Sequence, residues 1–280
     1  MEQAEQGERC GNSNVEKWIE DATILKVLTG SRGYGVVTEN SDHDVIGVAI
    51  PPKELLLGLQ GFKHYNAAEY KDGAINNPRN KTEVTIFSLL RFFDLAIGMK
   101  SHALEVLFAH PDNILKCAPF GSILLENKHL FLSKKVYFSL RSHAFSEERS
   151  IRNMLRSYNT DFYMKRNKHY YLMFALLHIG IETLETGEVN IRRDKEKEFL
   201  LDVREGRISE EEMDKVKSKL FRRLDDANTS SKLPDFVDYN KVNDLLVEMT
   251  SASIFLGPKP SLTFLRALKN TINQMYSLSS

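Results

Sequence analysis

Two aspartates beside a glycine turn are the residues of this sequence best suited to chemistry. Asp42 and Asp44 stand two positions apart, directly before the apolar run "VIGVAI". Because alternate side chains of a strand share a face, both carboxylates are predicted to lie on the same side. Two like charges about 4 Å apart repel by roughly 4 kcal/mol at an effective dielectric of about 20. A fold that keeps both ionised therefore needs a cation, and an oxygen-only ligand set favours Mg²⁺ or Mn²⁺ over zinc.

A third acid is predicted from the next strongly β-forming segment. Residues 83–87, "EVTIF", are β-branched and aromatic, and they predict a strand that Glu83 opens. If this strand pairs beside the strand of the two aspartates, Glu83 can reach the same cation. The sequence therefore predicts Asp42, Asp44 and Glu83 as catalytic residues and metal ligands. His43 is expected on the opposite face, in a structural role.

The turn before the two aspartates is suited to a phosphate group. Gly30 and Gly33 in "TGSRGYG" let the backbone approach closely, and free N–H groups at a helix start attract anions. The Ser31 hydroxyl can donate to a phosphate oxygen, and Arg32 can supply charge-assisted hydrogen bonds. A glycine turn alone, or a D-x-D pair alone, is more often structural. Together, between two apolar strands, they are a much more specific signal.

Composition limits the classes of partner. Lys plus Arg and Asp plus Glu both number 38, so no global field favours a polyanion, and any nucleic-acid surface must be a local patch. Two cysteines make no disulfide framework, and the polar N-terminus is not a signal peptide, so we expect a cytoplasmic protein. The apolar run at 170–181 is shorter than the ~18 residues of a membrane span. It predicts a core helix and no membrane partner.

The order of predicted elements indicates an α+β fold. After a flexible tail at 1–14, strands are predicted in "DATILKVLTG", "DHDVIGVAIP" and "EVTIF", with a loop over 63–81. Helical periodicity begins at Ile86, and no strand is predicted after about residue 119. Helices are expected near 121–131, 134–145, 147–160 and 163–186, and a capping box at Ser209 and Glu212 begins a further helix. The predicted domains are a small mixed-sheet catalytic domain, 15–118, and an all-helical domain, 119–280.

A second candidate surface interleaves cations with aromatic side chains between residues 152 and 171. This combination binds nucleotides and RNA through phosphate contacts and stacking, although core packing and a solvated helix face would produce the same pattern. Lys168, at the head of the apolar helix, is the strongest candidate for a phosphate contact. The candidates for acceptor or RNA binding are Arg152, Arg156, Lys165 and Arg166.

The segment "GSRGYGVVTENSDHD" resembles the G-S…D-x-D signature of the DNA polymerase β-like nucleotidyltransferase superfamily. It is most similar to the RlaP family, which is associated with RNA ligases and shows a Gly-Ser-x-x-Tyr-Gly turn. Gly30, Ser31, Tyr34 and Gly35 stand in that turn here. The segments "IPPKELLLGL", "EVTIFSLLRFFDLAIG", "ALEVLF", "LETGEV", "FLLDVREG" and "LPD" extend the likeness over about 24–250.

Two departures from the family pattern stand out. Glu83 occupies the position where the family usually has Asp, and "GMKSH" replaces its usual Gly-Asn-Pro segment. The resemblance implies the minimal nucleotidyltransferase fold, with a helical C-terminal half. It also implies transfer of a nucleoside monophosphate from an NTP, with two Mg²⁺ or Mn²⁺ ions and the triphosphate on Gly30, Ser31, Arg32 and Tyr34.

The acceptor stays open at this point. The family's association with RNA ligases and the basic-aromatic surface favour an RNA end. A small molecule such as an aminoglycoside, or a protein hydroxyl, is an alternative on the same fold. A catalytically inactive nucleotide- or RNA-binding module is a further alternative, against which the three intact acids argue.

Overall fold

A mixed β-sheet lies at the centre of the N-terminal half. The computed structural model describes residues 12–38, 41–70, 81–154, 162–257, 260–263 and 265–266. The strands in these ranges are β1 (Thr23–Thr29), β2 (His43–Ala49), β3 (His64–Tyr70), β4 (Lys81–Ser88) and β5 (Ile114–Cys117). They form one sheet in the order β3-β4-β2-β1-β5. β2 and β4 run parallel, and the other neighbouring pairs are antiparallel.

The central strands confirm the predicted fold class, and the two edge strands differ from the prediction. β1, β2 and β4 are the three predicted strands. The predicted loop over 63–81 is wrong at residues 64–70, which form β3, whereas residues 71–80 lie outside the described ranges. β3 carries Asn and Ala, which are weak strand formers, and it takes its hydrogen bonds from β4. β5 has four residues, too few to show a periodicity.

Helices supply the rest of the regular structure. They are α1 (Asn12–Ala22), α2 (Gly30–Gly33), α3 (Lys53–Leu57), α4 (Leu89–Ile97), α5 (Ser101–Leu107), α6 (Pro119–Glu126), α7 (Lys135–Met154), α8 (Phe162–Thr186), α9 (Lys197–Arg204), α10 (Glu210–Ser230) and α11 (Tyr239–Leu256), with 3₁₀ turns at Pro111–Asn113 and Lys128–Phe131. As predicted, no strand follows Cys117 in the described ranges. Ser209 caps α10, its Oγ accepting a hydrogen bond from the Glu212 amide at 3.2 Å.

α7 is longer than the sequence predicts. The expected break between helices at 134–145 and 147–160 is absent, because one buried face continues through it and packs against α8. That packing overrides the local Ser-Glu-Glu pattern. The buried residues of α7 are Val136, Leu140, Ala144, Glu147 and Ile151. Residues 155–161, the end of the second predicted helix, lie outside the described ranges.

The two larger of the three hydrophobic cores among the described residues draw on distant parts of the chain. In one, Leu25 and Val27 of β1 pack with Leu245 and Met249 of α11. In the other, Tyr34, which follows α2, packs with residues of α7, α8 and α10. The predicted division at residue 118 stays a prediction, and α11, which follows that division, contributes to the core of the sheet. The predicted tail falls mostly on residues 1–11, which are outside the described ranges, and α1 begins at Asn12.

The apolar run at 170–181 lies within α8 and is largely buried, as expected of a core helix. Met173, Phe174, Ala175 and Leu177 are fully buried there. Among the described helices, none combines the length and the apolar character needed to cross a membrane.

We expect Gly121→Ala to destabilise the protein. A Cβ at Gly121, in α6, would lie 2.3 Å from the backbone oxygen of Ile24, and a backbone atom of β1 cannot move aside cheaply. Overpacking of this kind lowers the free energy of unfolding by about 1–3 kcal/mol. The higher helix propensity of Ala offsets up to about 1 kcal/mol of that loss. Thermal unfolding would measure the difference.

Gly61→Ala is the matched control, because no atom lies within 4 Å of a Cβ built there. A Gly121→Ala protein that melts at the same temperature as the control would contradict the close contact between α6 and β1.

Candidate active site

Strand register brings the predicted acids to one edge of the sheet. Asp44 lies opposite Thr29 in the antiparallel pair of β1 and β2, and opposite Glu83 in the parallel pair of β2 and β4. The predicted pairing of "EVTIF" beside the strand of the aspartates is therefore observed. Residues directly opposite one another in neighbouring strands point to the same face. Asp42 directly precedes β2, two positions before Asp44, and all three carboxylates line one cleft.

The cleft has a volume of about 300 Å³ and collects most of the predicted site residues. One wall comes from the glycine turn and the ends of β2 and β4, and the other comes from α5, α7, α8 and α9. The residues predicted from the sequence that line it are Gly30, Ser31, Tyr34, Asp42, Asp44, Glu83 and Lys168.

Position 30 requires glycine because the Asp44 side chain packs closely against its backbone. Its φ is +61°, a left-handed conformation that favours glycine, and an added Cβ would lie 2.3 Å from Asp44 Oδ2. The short turn of α2 follows, with the Tyr34 amide donating to the Gly30 carbonyl oxygen at 3.0 Å. The carboxylate of Asp44 can therefore pack directly against the backbone of the turn.

Glu105 is a functional candidate that sequence reasoning missed. This buried side chain of α5 accepts from the Gly30 amide at 2.9 Å and from the Tyr34 hydroxyl at 2.8 Å. The Gly30 amide therefore already donates a hydrogen bond, and the expectation of a free N–H at this position is wrong. The physical reason is that a buried carboxylate is costly unless it accepts hydrogen bonds. An acid within the apolar run "ALEVLF" was the available signal. Burial, and then the Glu105 charge, raises the pKa of Tyr34 well above its usual value.

The electrostatics of the cleft favour a bound cation. Burial raises the pKa of Asp44, and the negative charges of Asp42, Glu83 and Glu105 raise it further. The Lys168 ammonium acts in the opposite direction, and its Nζ lies 3.5 Å from Asp42 Oδ2. The raised pKa shows that one ammonium does not offset the burial and the acids.

No metal site is preformed in the described part of the chain, where no three His, Cys, Asp or Glu side chains are grouped to hold one ion. Asp42, Asp44 and Glu83 share the cleft without converging on one point. Their chemistry nevertheless fits a divalent cation, because all three offer carboxylate oxygens and because like charges act on the half-buried Asp44.

Arg32 lies away from the cleft. Its Nη2 is 2.8 Å from His43 Nε2, and its carbonyl oxygen accepts from Asn113 Nδ2 at 3.4 Å. It lines a separate cavity with Arg192 and Lys197. Since Asp42 and Asp44 face the cleft, His43 between them faces the other side and draws Arg32 there. The structure therefore does not place Arg32 with the predicted phosphate-binding residues.

The predicted basic-aromatic surface is divided between two sides of α8. Lys168 and Tyr171 line the cleft. Arg166 instead pairs with Glu210 of α10 at 3.5 Å and lies over the Tyr163 ring at 5.2 Å. Two helical positions separate Arg166 from Lys168, a rotation of about 200°, so the two side chains point in opposite directions. Lys165 and Arg152 are exposed, and Arg156 lies outside the described residues.

A hydrogen-bonded group of polar side chains borders the cleft between α7 and α8. His143 Nδ1 lies 3.1 Å from Ser101 Oγ, and its Nε2 lies 3.4 Å from Glu147 Oε1. His169 of α8 reaches the other carboxylate oxygen of Glu147 at 2.5 Å. Burial opposes ionisation of Glu147, but the hydrogen bonds from the two histidines outweigh it and lower its pKa to about 2. This cluster joins α7 and α8 beside the acids.

Arg204, another residue that sequence reasoning missed, closes the cleft from α9. Its Nη1 donates to the Val36 carbonyl oxygen at 2.6 Å, and its guanidinium lies 4.9 Å from the centre of the Tyr171 ring. These contacts connect α9, α8 and the segment that follows the glycine turn. Only its place in "FLLDVREG" pointed to it in the sequence.

In a metal-free solution, we expect Asp44→Asn to be at least as stable as the wild type at about pH 7. The raised pKa of Asp44 means that its stabilising contribution is fully present below the ordinary value of 3.8 and is lost as the pH rises through the higher folded-state pKa. The advantage of the Asn variant should therefore grow as the pH rises across that window. Thermal unfolding with a chelator, over a series of pH values, would measure it.

Asp226→Asn, at an exposed position of α10, provides the control and should follow the wild-type pH profile. If Asp44→Asn melted well below the metal-free wild type across that range, Asp44 would have a purely structural role.

Comparison with known proteins identifies the family. The model of RlaP, described as the RNA repair pathway DNA polymerase beta family, matches residues 12–248. A relative from Enterobacteria phage T4, an uncharacterised 38.9 kDa protein of the nrdC-mobD intergenic region, is 28% identical over 95 residues. That alignment covers 34% of this chain and 28% of the phage protein, so the chain spans well under two thirds of its relative.

Among solved structures, a nucleotidyltransferase-like protein from Exiguobacterium sibiricum 255-15 is similar, with 10% identity and a TM-score of 0.29. The likeness covers 87% of this chain and 76% of that one, and no feature of the site is taken from it. The family match stands on its own, because it extends over most of the sequence and includes the glycine turn, the three acids and Lys168. The chain therefore belongs to RlaP, the RNA repair pathway DNA polymerase beta family of nucleotidyltransferases.

Proposed function

We propose that this protein transfers a nucleoside monophosphate from an NTP to a hydroxyl group of an RNA end and releases pyrophosphate. The observation that carries the proposal is the register of β2 and β4, which sets Glu83 beside Asp44 under the glycine turn. Membership of a nucleotidyltransferase family supports the reaction class, and the description of that family as an RNA repair pathway supports the acceptor.

Divalent metal dependence is part of the proposal. Asp42, Asp44 and Glu83 would hold Mg²⁺ or Mn²⁺ through carboxylate oxygens, which these cations prefer. When bound, such ions would neutralise the clustered negative charge and lower the pKa of the attacking hydroxyl. The like charges that raise the pKa of Asp44 supply the driving force for cation binding.

The chain's own residues would bind and orient both substrates. Lys168 would exchange its contact with Asp42 for the triphosphate, as a mobile point charge at the cleft wall. The Ser31 hydroxyl, which also lines the cleft, would donate to a phosphate oxygen. The Glu105 hydrogen bonds hold the turn in place for this contact.

In the reaction itself, the acceptor oxygen forms a bond to the α-phosphorus of the NTP. The bond from that phosphorus to the oxygen bridging to the β-phosphate breaks, and pyrophosphate leaves with both electrons of that bond. The proton of the acceptor hydroxyl passes to the Glu83 carboxylate, which lies at the same sheet edge as Asp44. Most of the rate gain comes from positioning and charge neutralisation, as in phosphoryl transfer generally.

Replacing any of the three acids should abolish most of the transfer. We expect Asp42→Asn, Asp44→Asn and Glu83→Gln each to lower the rate by at least about 10² to 10³, the usual effect of losing one key electrostatic group. The measurement is incorporation of label from each α-labelled NTP into an RNA oligonucleotide, with Mg²⁺ or Mn²⁺ present.

Asp94→Asn, at an exposed position on α4, is the matched control and should retain full activity. Parallel reactions with a DNA oligonucleotide, an aminoglycoside and a cell lysate would test the other acceptors. Label entering protein or a small molecule, and never RNA, would refute the RNA acceptor. Wild-type protein that neither binds any NTP with metal nor labels any acceptor would refute the whole proposal.

Lys168→Met should weaken NTP binding while leaving the fold intact. A hydrogen bond to a charged group contributes about 1.5–3 kcal/mol, so the dissociation constant should rise by about 10-fold or more. Titration calorimetry with metal and NTP would measure it. Lys165→Met, an exposed lysine three positions earlier on α8, is the control and should bind NTP like the wild type. Equal losses in both variants would contradict a specific role for Lys168.

A further inference from the structure

A second and larger cavity, of about 810 Å³, lies beside the catalytic cleft. It is bounded by the start of α7, the segment before α5, the end of α10 and the segment before α11. Three lysines and two phenylalanines give it its character, and we call it the lysine groove. These residues are Lys100, Lys134, Lys135, Phe138 and Phe236.

The two aromatic rings of the lysine groove are open to solvent. Phe138 is 66% exposed and Phe236 is 70% exposed. Lys135 Nζ lies 5.5 Å from the centre of the Phe236 ring, so an ammonium group and an aromatic face are presented at the same place. Exposed aromatic faces beside cations bind the bases and phosphates of single-stranded nucleic acid.

The charge of the lysine groove is positive. Lys134 pairs with Asp235 at 3.3 Å, which cancels one charge. For Lys100 and Lys135, no carboxylate of a described residue lies within ion-pair distance. Two ammonium groups are therefore left to attract a polyanion, although the chain as a whole has no net charge.

The groove and the catalytic cleft adjoin along two helices. Lys100 lines the groove at the N-cap of α5, and His102, two residues further on, lines the cleft. On α7, Ser142 lines the groove and the adjacent His143 lines the cleft. Residues that are neighbours in the chain therefore line the two cavities, an arrangement that suits a ligand long enough to occupy both.

A strained residue stands at this junction. Met99 is fully buried and has a φ of +50°, a conformation that side chains other than glycine rarely adopt. It lies in "GMKSH", the segment that departs from the family pattern, and it places Lys100 at the start of α5. Such strain persists where the surrounding structure over-determines it and is concentrated at functional sites.

We propose that the lysine groove binds the single-stranded RNA that leads to the acceptor hydroxyl. Bases stack on Phe138 and Phe236, and phosphates contact Lys100 and Lys135. This inference rests on the proposed function, because it assigns the path of the RNA to the same reaction. The exposed ends of both aromatic side chains face the cavity that adjoins the cleft.

Polar groups of the groove favour RNA over DNA. Ser139 and Ser142 present hydroxyl groups along α7, where they can bond to ribose 2′-hydroxyls.

The surface predicted from the sequence is a weaker candidate for the same role. Arg166 faces α10 and pairs with Glu210, and neither Arg152 nor Lys165 lines the cleft or the groove. The two surfaces can therefore be compared directly by mutation.

The test is fluorescence anisotropy with a 5′-labelled single-stranded RNA of about 12 nucleotides, within the usual site sizes. We expect the double substitution Phe138→Ala with Phe236→Ala to weaken binding by about 10-fold or more. Lys100→Gln with Lys135→Gln should reduce the slope of log K against log salt by about 0.7 for each lysine. All four side chains lie at the surface or are partly exposed, so thermal unfolding should show that the variants stay folded.

Two sets of controls separate the groove from surface effects. Phe255→Ala with Lys63→Gln removes an exposed aromatic ring and an exposed cation, neither of which lines the groove. This variant should therefore bind RNA like the wild type. Arg152→Ala with Lys165→Ala removes the two exposed cations of the alternative surface. It should weaken RNA binding less than 2-fold, compared with the roughly 10-fold loss expected in the groove variants. NTP binding, measured by calorimetry, should be the same in all these variants.

The outcomes distinguish this inference from the proposed function. RNA binding that survives in both groove variants, or that is lost in the Arg152 and Lys165 variant instead, would overturn the inference while NTP binding and transfer stand. Equally tight binding of single-stranded DNA of the same sequence would overturn the assignment to RNA. Loss of RNA binding in the groove variants, with no NTP binding in any protein, would support the groove and refute the nucleotidyl transfer.

Discussion

The two hydrogen bonds accepted by Glu105 are the constraint on which the catalytic cleft depends. One carboxylate receives the Gly30 amide and the Tyr34 hydroxyl, and so ties α5 to the turn that follows β1. Because an unpaired carboxylate in the interior is costly, this arrangement holds the turn against the helix. Gly30 then adopts its positive φ, which leaves space for Asp44. The position of Asp44 thus depends on packing against α5, which lies about 60 residues further along the chain.

The cleft concentrates negative charge that the fold itself does not neutralise. Besides burial, the charges of Asp42, Glu83 and Glu105 raise the pKa of Asp44 there, and the Lys168 ammonium acts in the opposite direction. A carboxyl group whose pKa is raised in the folded state makes the protein less stable as the pH rises through that pKa. The nearby Glu147 has a pKa shifted in the opposite direction. Hydrogen bonds from two histidines lower it to about 2 despite burial. The protein's own groups therefore stabilise the charge of Glu147, whereas they leave the half-buried Asp44 with a raised pKa.

The helical half of the chain contributes more than a support for the sheet. α7 and α8 carry His143, Lys168 and Tyr171 to the cleft, and α9 adds Arg204. The loop before α9 is tied to the glycine turn, because the amide of Arg193 donates to the Tyr34 carbonyl oxygen at 2.9 Å. α7 also forms one side of the lysine groove. The cleft and the lysine groove are therefore connected through shared helices.

The sequence by itself predicted the central strands, the glycine turn and the shared face of Asp42 and Asp44. These features depend on local signals, namely β-branched runs and the two-residue period of a strand. It could not show the edge strands β3 and β5, whose hydrogen bonds come from neighbours rather than from their own residues. Nor could it show that Arg32 turns towards His43 or that Arg166 faces Glu210. Those directions, the Glu105 contacts and the junction of cleft and groove are decided by tertiary packing, which joins residues far apart in the chain.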